Sequence, residues 1–198
     1  YKDIEQAHIC LGVPGIAGDD PDLYVLNVLV NALGGGVSSR LFQEAREKRG
    51  LAYSIYAYTN TYTKGGNVFC YASASPKKAA EALKIMGHEM ADIAAHGLQE
   101  KEINCSKEQL KGGLLLSMES TASLMNRLGK LESNYGQFLT VEEAVERVMA
   151  VTAEDVRRVA IVCTRKACFL PSGASRNESK FRRVVLDGSS MYYHFTAS

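Results

Sequence analysis

Arg46 and Tyr53, seven positions apart, are the residues of this chain best suited to chemistry. A guanidinium is a fixed cation with several N–H donors, and a phenol adds one O–H donor. Held side by side, they can stabilise negative charge developing on an oxygen atom. From spacing alone, a solvated helix charge and a tyrosine packed at a sheet edge is the simpler reading, because charged helix residues near tyrosines are common. Just ahead lies Gly34-Gly35-Gly36, followed by Ser38 and Ser39. Glycines before a helix can cradle a phosphate, but that requires Gly-Lys-Ser/Thr or Gly-x-Gly-x-x-Gly after a strand, and neither pattern is present. Here the glycines follow a helical pattern, so a helix stop and tight reversal is the simpler reading.

The elements that must position these groups follow from periodicity. Residues 4–12 read as a strand and 14–18 as a loop. Asp20-Pro21 supplies an N-cap with proline at the first helical position. Leu23, Leu26, Val30 and Leu33 then recur at helical spacing, with Gly34 as the stop. Ser38 or Ser39 caps a second, charged helix, in which Arg40–Glu44 and Glu44–Lys48 form four-apart ion pairs, and Gly50 ends it. Residues 53–58 and 67–75 are expected to form an antiparallel hairpin around the turn-forming stretch between them. Ser75-Pro76 opens a long amphipathic helix with Ala79, Leu83, Met86, Met90 and Ile93 on one stripe, closed by Gly97. Helical patterns continue over 99–118, 121–134 and 141–150. Thr152 and Asp155 begin another in the manner of a capping box. Residues 167–170 read as a last strand. A strand, helices, a hairpin and then mostly helices argues for an α+β fold rather than βαβ winding.

Composition narrows the function classes. The 198 residues suffice for one large domain with a real core, and 46% hydrophobic and 23% charged residues are ordinary for a globular protein. A net charge of +1 supplies no field for nucleic acid or an anionic membrane, and no apolar run approaches the roughly 18 residues of a membrane span. Five cysteines without a Cys-x-x-Cys pair read as mostly buried thiols, which favours a cytoplasmic or other reducing compartment. The chain opens at Tyr1 inside strand-like sequence, so its natural amino terminus is expected upstream.

Three strings carry a resemblance: Asp-Pro-Asp-Leu-Tyr at 20–24, Ser-Ser-Arg-Leu-Phe-Gln-Glu at 38–44, and Arg-Glu-Lys-Arg-Gly-Leu-Ala-Tyr-Ser at 46–54. Over roughly residues 4–160 the chain resembles the carboxy-terminal, non-metal domain of the zinc peptidases that include mitochondrial processing peptidase, pitrilysin and insulin-degrading enzyme. The resemblance implies a two-layer α+β domain, an antiparallel sheet with helices packed on one face. It also implies that two such domains close like a clamshell around an unfolded peptide, one carrying zinc and the other the Arg/Tyr pair. Arg46 and Tyr53 would then hold the substrate at the scissile bond, as catalytic positioning residues. The glycine loop lies near the substrate cleft in that family, so Gly35, Gly36, Ser38 and Ser39 join them as expected substrate-binding residues. Tyr53, Tyr56, Tyr58 and Tyr62 would line the wall opposite the zinc half, although strand aromatics are more often simple packing.

The metal motif of that superfamily, His-x-x-Glu-His, is missing. His88-Glu89 is followed by Met-Ala-Asp, and His96 lies eight residues on, too far along a helix for joint ligation. This chain is therefore expected to bind no catalytic zinc, to hold no cofactor and to be inactive alone. Its expected partners are a zinc-bearing half, upstream on the same polypeptide or on a separate subunit, a peptide substrate, and a second copy as an alternative cover for the exposed face. The competing reading is a non-catalytic scaffold or peptide-binding subunit of the same fold. The family-like domain is expected to span 1–170, and the tail 171–198 departs from the pattern. Its stretches 181–186 and 191–195 could form a hairpin around Asp187-Gly188.

Overall fold

A computed structural model of the chain describes residues 5–136, 139–164, 168–172, 185–187 and 190–192. Four strands form one antiparallel sheet in the order β2-β3-β1-β4: β1 (Ala7–Gly15), β2 (Ala52–Tyr62), β3 (Gly65–Ala74) and β4 (Cys168–Ser172). Period-two alternation makes the sheet two-faced. Ile9, Leu11, Val13, Ile55, Ala57, Val68, Cys70 and Ala72 are buried on the core side. β1 begins later than expected and runs on to Gly15. Beyond Gly12 it is paired, among the described residues, with β3 alone, and a singly paired stretch tolerates Pro14.

The hairpin is longer than its turn-like composition suggested. Tyr62 pairs with Gly65, leaving only Thr63 and Lys64 to turn. Thr and Tyr are strong strand formers, and they carry β2 through the stretch read as a loop. Among the described residues six α-helices accompany the sheet: α1 (Leu23–Gly34), α2 (Ala79–His96), α3 (Glu100–Ser117), α4 (Thr121–Tyr135), α5 (Val141–Ala150) and α6 (Ala153–Thr164). α1, α2 and α6 pack on the sheet, while α3 and α5 pack on α1. Leu83, Met86, Met90 and Ile93 of α2 are buried as their spacing predicts, and Gly97 (φ 79°) ends the helix. The expected capping box between Thr152 and Asp155 is formed.

Two helix boundaries differ from expectation. Asp20 does not cap α1; its Oδ1 accepts from Asp22 N (2.8 Å) in a turn before the helix, which starts at Leu23. Gly34 is the last residue of α1 rather than its stop, and Gly35 after it is right-handed (φ −84°). Glycine is required at 34 for closeness: a Cβ there would sit inside the backbone of Tyr56 and Ala57 of β2. The cysteines also depart in part from expectation, since Cys70 and Cys163 are buried, Cys10 is half-buried and Cys105 is exposed. Burial pushes the Cys70 thiol up to about 12 and that of Cys163 up to about 11.

Of the tail, Val185–Asp187 and Ser190–Tyr192 pair antiparallel, Asp187 opposite Ser190. The rest of the expected hairpin lies outside the described residues.

Candidate functional site

Arg46 sits on a short helical segment that is not an α-helix. Residues Phe42–Glu47 wind as a π-helix, with Lys48 N donating five residues back to Gln43 O (3.0 Å). Leu41 and Ala45 bury one side of the segment completely. Gly50, at φ 56°, reverses the chain, and Leu51 N closes the turn on Ala45 O (2.8 Å). Tyr53 then falls on a β-bulge. Ala52 pairs with Ala74 and Ser54 with Ser73, which leaves Tyr53 as the extra residue of β2. Ala52 and Ile55 can therefore both face the core while Tyr53 is 73% exposed.

The two irregularities bring the predicted pair together. The Arg46 guanidinium carbon lies 5.6 Å from the Tyr53 ring centroid and 4.8 Å from that of Phe42. Among the described residues no carboxylate comes within 4.0 Å of Arg46. Lys48 pairs with Glu44 as expected, and Arg49 also approaches Glu44 at 3.7 Å.

The other expected ion pair, Arg40–Glu44, is not made. Arg40 turns inward, 15% exposed, and its Nε and Nη2 donate to the two oxygens of Glu102 (2.6 and 2.9 Å). Nη1 donates to Asp92 (2.6 Å) and Nη2 to Gly97 O (3.3 Å), with Glu89 at 3.8 Å. This clamp fastens the start of the π-helical segment to the junction of α2 and α3. Burial pushes the Glu102 and Asp92 carboxyls up. Hydrogen bonds outweigh it, from Arg40 and Gln99 N at Glu102 and from His96 and Arg40 at Asp92, so both are held below the usual carboxylate range.

Gly35, Gly36, Ser38 and Ser39 lie in the loop between α1 and the π-helical segment, and the loop leans on α3. Gln109 Nε2 donates to Gly35 O (3.3 Å), and Ser38 Oγ is 3.6 Å from Cys105 Sγ. Ser39 is 3% exposed and its hydroxyl donates to Gly36 O (2.6 Å); Gly35 and Ser38 are exposed. Gln43, whose amide donates to Val37 O (2.7 Å), ties this loop to the segment carrying Arg46. No hydrogen bond or ring contact among the described residues joins the four loop residues directly to Arg46 or Tyr53.

The sheet face opposite the helices is aromatic. Tyr56 lies 4.9 Å from Tyr71 and Tyr58 lies 5.4 Å from Phe69, centroid to centroid. His8 Nδ1 is 2.6 Å from Tyr71 Oη. Tyr56, Tyr58 and Tyr62 are all exposed. Sequence reading missed Phe69, Tyr71 and His8 on this face, which register alone brings beside the β2 tyrosines. It also missed Phe42, for which the four-residue spacing to Arg46 was an available signal.

Among the described residues no group of three His, Cys, Asp or Glu could hold a metal ion, and no helix is long and apolar enough to cross a membrane. His88 and His96 are exposed, and His96 Nδ1 is 2.8 Å from Asp92, one turn back on α2.

The strand order and the helices packed on the sheet define an α+β domain, an antiparallel sheet backed by helices. The profile of the peptidase M16 inactive domain matches residues 1–110, and the chain belongs to that family. An uncharacterized zinc protease of Streptomyces coelicolor is 47% identical over 156 residues, covering 79% of this chain and 34% of the relative. One of Bacillus subtilis is 41% identical over 159 residues, covering 80% and 39%. The chain thus spans little more than a third of the length of these relatives. Among solved structures, a peptidase M16 inactive domain from Pseudomonas fluorescens superposes with a TM-score of 0.77 at 26% identity, covering 88% of this chain and 43% of that one. An inactive peptidase domain from Bordetella parapertussis shares the fold at 15% identity and a TM-score of 0.72, covering 87% of this chain and 97% of that one.

Proposed function

We propose that this chain is the substrate-positioning half of a zinc-dependent endopeptidase acting on extended or unfolded peptides. The observation that carries the reading is Arg46 held beside Tyr53, both exposed and the guanidinium free of any carboxylate among the described residues. Hydrolysis of a peptide bond places negative charge on the former carbonyl oxygen, and fixed donors aimed there lower the barrier. The Tyr53 hydroxyl donates to that oxygen. Arg46, with its planar set of donors, orients the adjacent backbone carbonyls. Gly35, Gly36, Ser38 and Ser39 form the neighbouring rim through their loop. Tyr56, Tyr58 and Tyr62 form an aromatic wall along the same strand as Tyr53.

The match to an inactive domain, together with relatives described as zinc proteases, supports placing the metal on a partner half, on the same polypeptide or on a separate subunit. Co-expression of the chain with that half, followed by assay on an unstructured fluorogenic peptide, tests the reading. Cleavage should require both halves. Full cleavage by the zinc half alone would remove the proposed role.

A second reading draws on the family description itself, an inactive domain: a scaffold that binds peptide or a partner without assisting cleavage. It predicts unchanged turnover in Arg46 and Tyr53 variants.

A further inference from the structure

We infer that Phe42 is a positioning residue: with Tyr53 it brackets the Arg46 guanidinium and replaces the acidic partner such a side chain ordinarily has. An arginine is long and rotamer-rich, and an exposed one samples many orientations unless something holds it. Arg40 shows the usual solution, three carboxylates around one guanidinium. Arg46 has none among the described residues. The nearby acid, Glu44, is engaged by Lys48 and approached by Arg49. What Arg46 has is two ring faces, Phe42 at 4.8 Å and Tyr53 at 5.6 Å, both within cation–π range.

Phe42 is free for this task. It is half-buried, but it belongs neither to the hydrophobic core nor to the partly buried residues packed against it. Its neighbour Leu41 does the core packing instead, fully buried. The chemical consequence follows from the kind of contact. A carboxylate would occupy the N–H donors and neutralise the charge, whereas a ring face attracts the cation without neutralising it or taking up its full set of donors. A guanidinium held in this way is oriented and still able to donate to a peptide backbone.

The effect on cleavage rests on the proposed function; the bracket itself does not, so two readouts separate them. In the 15N-labelled chain, the Arg46 Nε–Hε resonance, assigned by its loss in Arg46→Lys, should carry a ring-current shift. That shift should collapse toward the exposed arginines in Phe42→Leu and persist in Phe42→Tyr. An unchanged resonance in Phe42→Leu would overturn the inference. In the full-length protein with its zinc-bearing half, Phe42→Leu should lower kcat/KM by about two- to five-fold at unchanged Tm, and Phe42→Tyr should restore it. In an Arg46→Ala background Phe42→Leu should have no further effect. An equal loss in both backgrounds would make Phe42 merely structural and sink the inference. If Arg46→Ala itself leaves cleavage intact, the proposed function fails, and the resonance still decides the bracket.

Discussion

The Arg46 guanidinium carbon lies 5.6 Å from the centroid of the Tyr53 ring, although the two residues belong to different kinds of secondary structure. Two departures from regularity create the pairing: a π-helical turn under Arg46 and a β-bulge at Tyr53. Neither departure favours regular packing for its own sake. Each re-aims one polar side chain outward while the residues beside it, Ala45 and Ala52, stay buried.

The first prediction separates the two members of the pair. In a complete enzyme Tyr53→Phe removes one hydroxyl donor and leaves the ring that flanks Arg46. It should lower kcat on the order of 10²-fold with a much smaller change in KM, as loss of a transition-state donor does. Arg46→Ala should raise KM as well as lower kcat. Steady-state kinetics on one peptide checks both; matched KM increases with unchanged kcat in both variants would refute the division of roles.

The Arg40 clamp predicts a stability effect away from the site. Arg40→Met leaves Asp92 and Glu102 without their cation and should cost about 1–3 kcal/mol, less than a fully buried pair because water reaches part of the cluster. Denaturant titration measures it; a change within error would show the clamp to be ornamental.

The same cluster sets a pH dependence. Asp92 and Glu102 are held below their ordinary values when folded, so their contribution is complete above about pH 4.5. It is lost as pH falls past the ordinary carboxylate values and through the lower folded ones. Arg40→Met should flatten this acid limb. Glu89 works in the opposite sense: burial pushes its carboxyl up against the pull of His88 and Arg40. Its ionisation opposes folding, a penalty that grows as pH rises past the ordinary carboxylate value and is complete above the raised one. Glu89→Gln should therefore hold or raise Tm at pH 7, and a clear drop in Tm would contradict that sign.

Two glycines should fail for different reasons. Gly34→Ala drives a methyl into the β2 backbone and should destabilise by about 1–3 kcal/mol or more. Gly50→Ala meets no atom within 4 Å but must adopt φ 56°, which costs about 1–2 kcal/mol. Adding Gly50→Asn, a residue that tolerates this conformation, distinguishes them: it should recover part of the loss at position 50. No recovery there would point to packing instead.

Much of this was legible in the residues. Helical spacing placed the buried stripe of α2, and the capping box at Thr152 marked the start of α6. The strings at 38–44 and 46–54, rather than the Arg46–Tyr53 spacing by itself, drew attention to the segment in which these two side chains meet. What could not be read were features set by distant partners or by a one-residue change of period. Arg40 was assigned to Glu44, four residues on, but its partners lie 52 and 62 residues away in sequence. A π-turn and a bulge each insert a single residue, which no alternation or 3.6-residue pattern reveals in advance. Gly34 looked like a helix stop because close backbone approach leaves no local mark in the sequence.

The most direct test is chelator-sensitive peptide cleavage by the complete gene product, with Arg46→Ala measured beside it. Zinc-dependent cleavage that collapses in the variant, at unchanged Tm, is the predicted result. Equal cleavage by both proteins, or a well-folded full-length protein that binds peptide and never cuts it, would contradict the account.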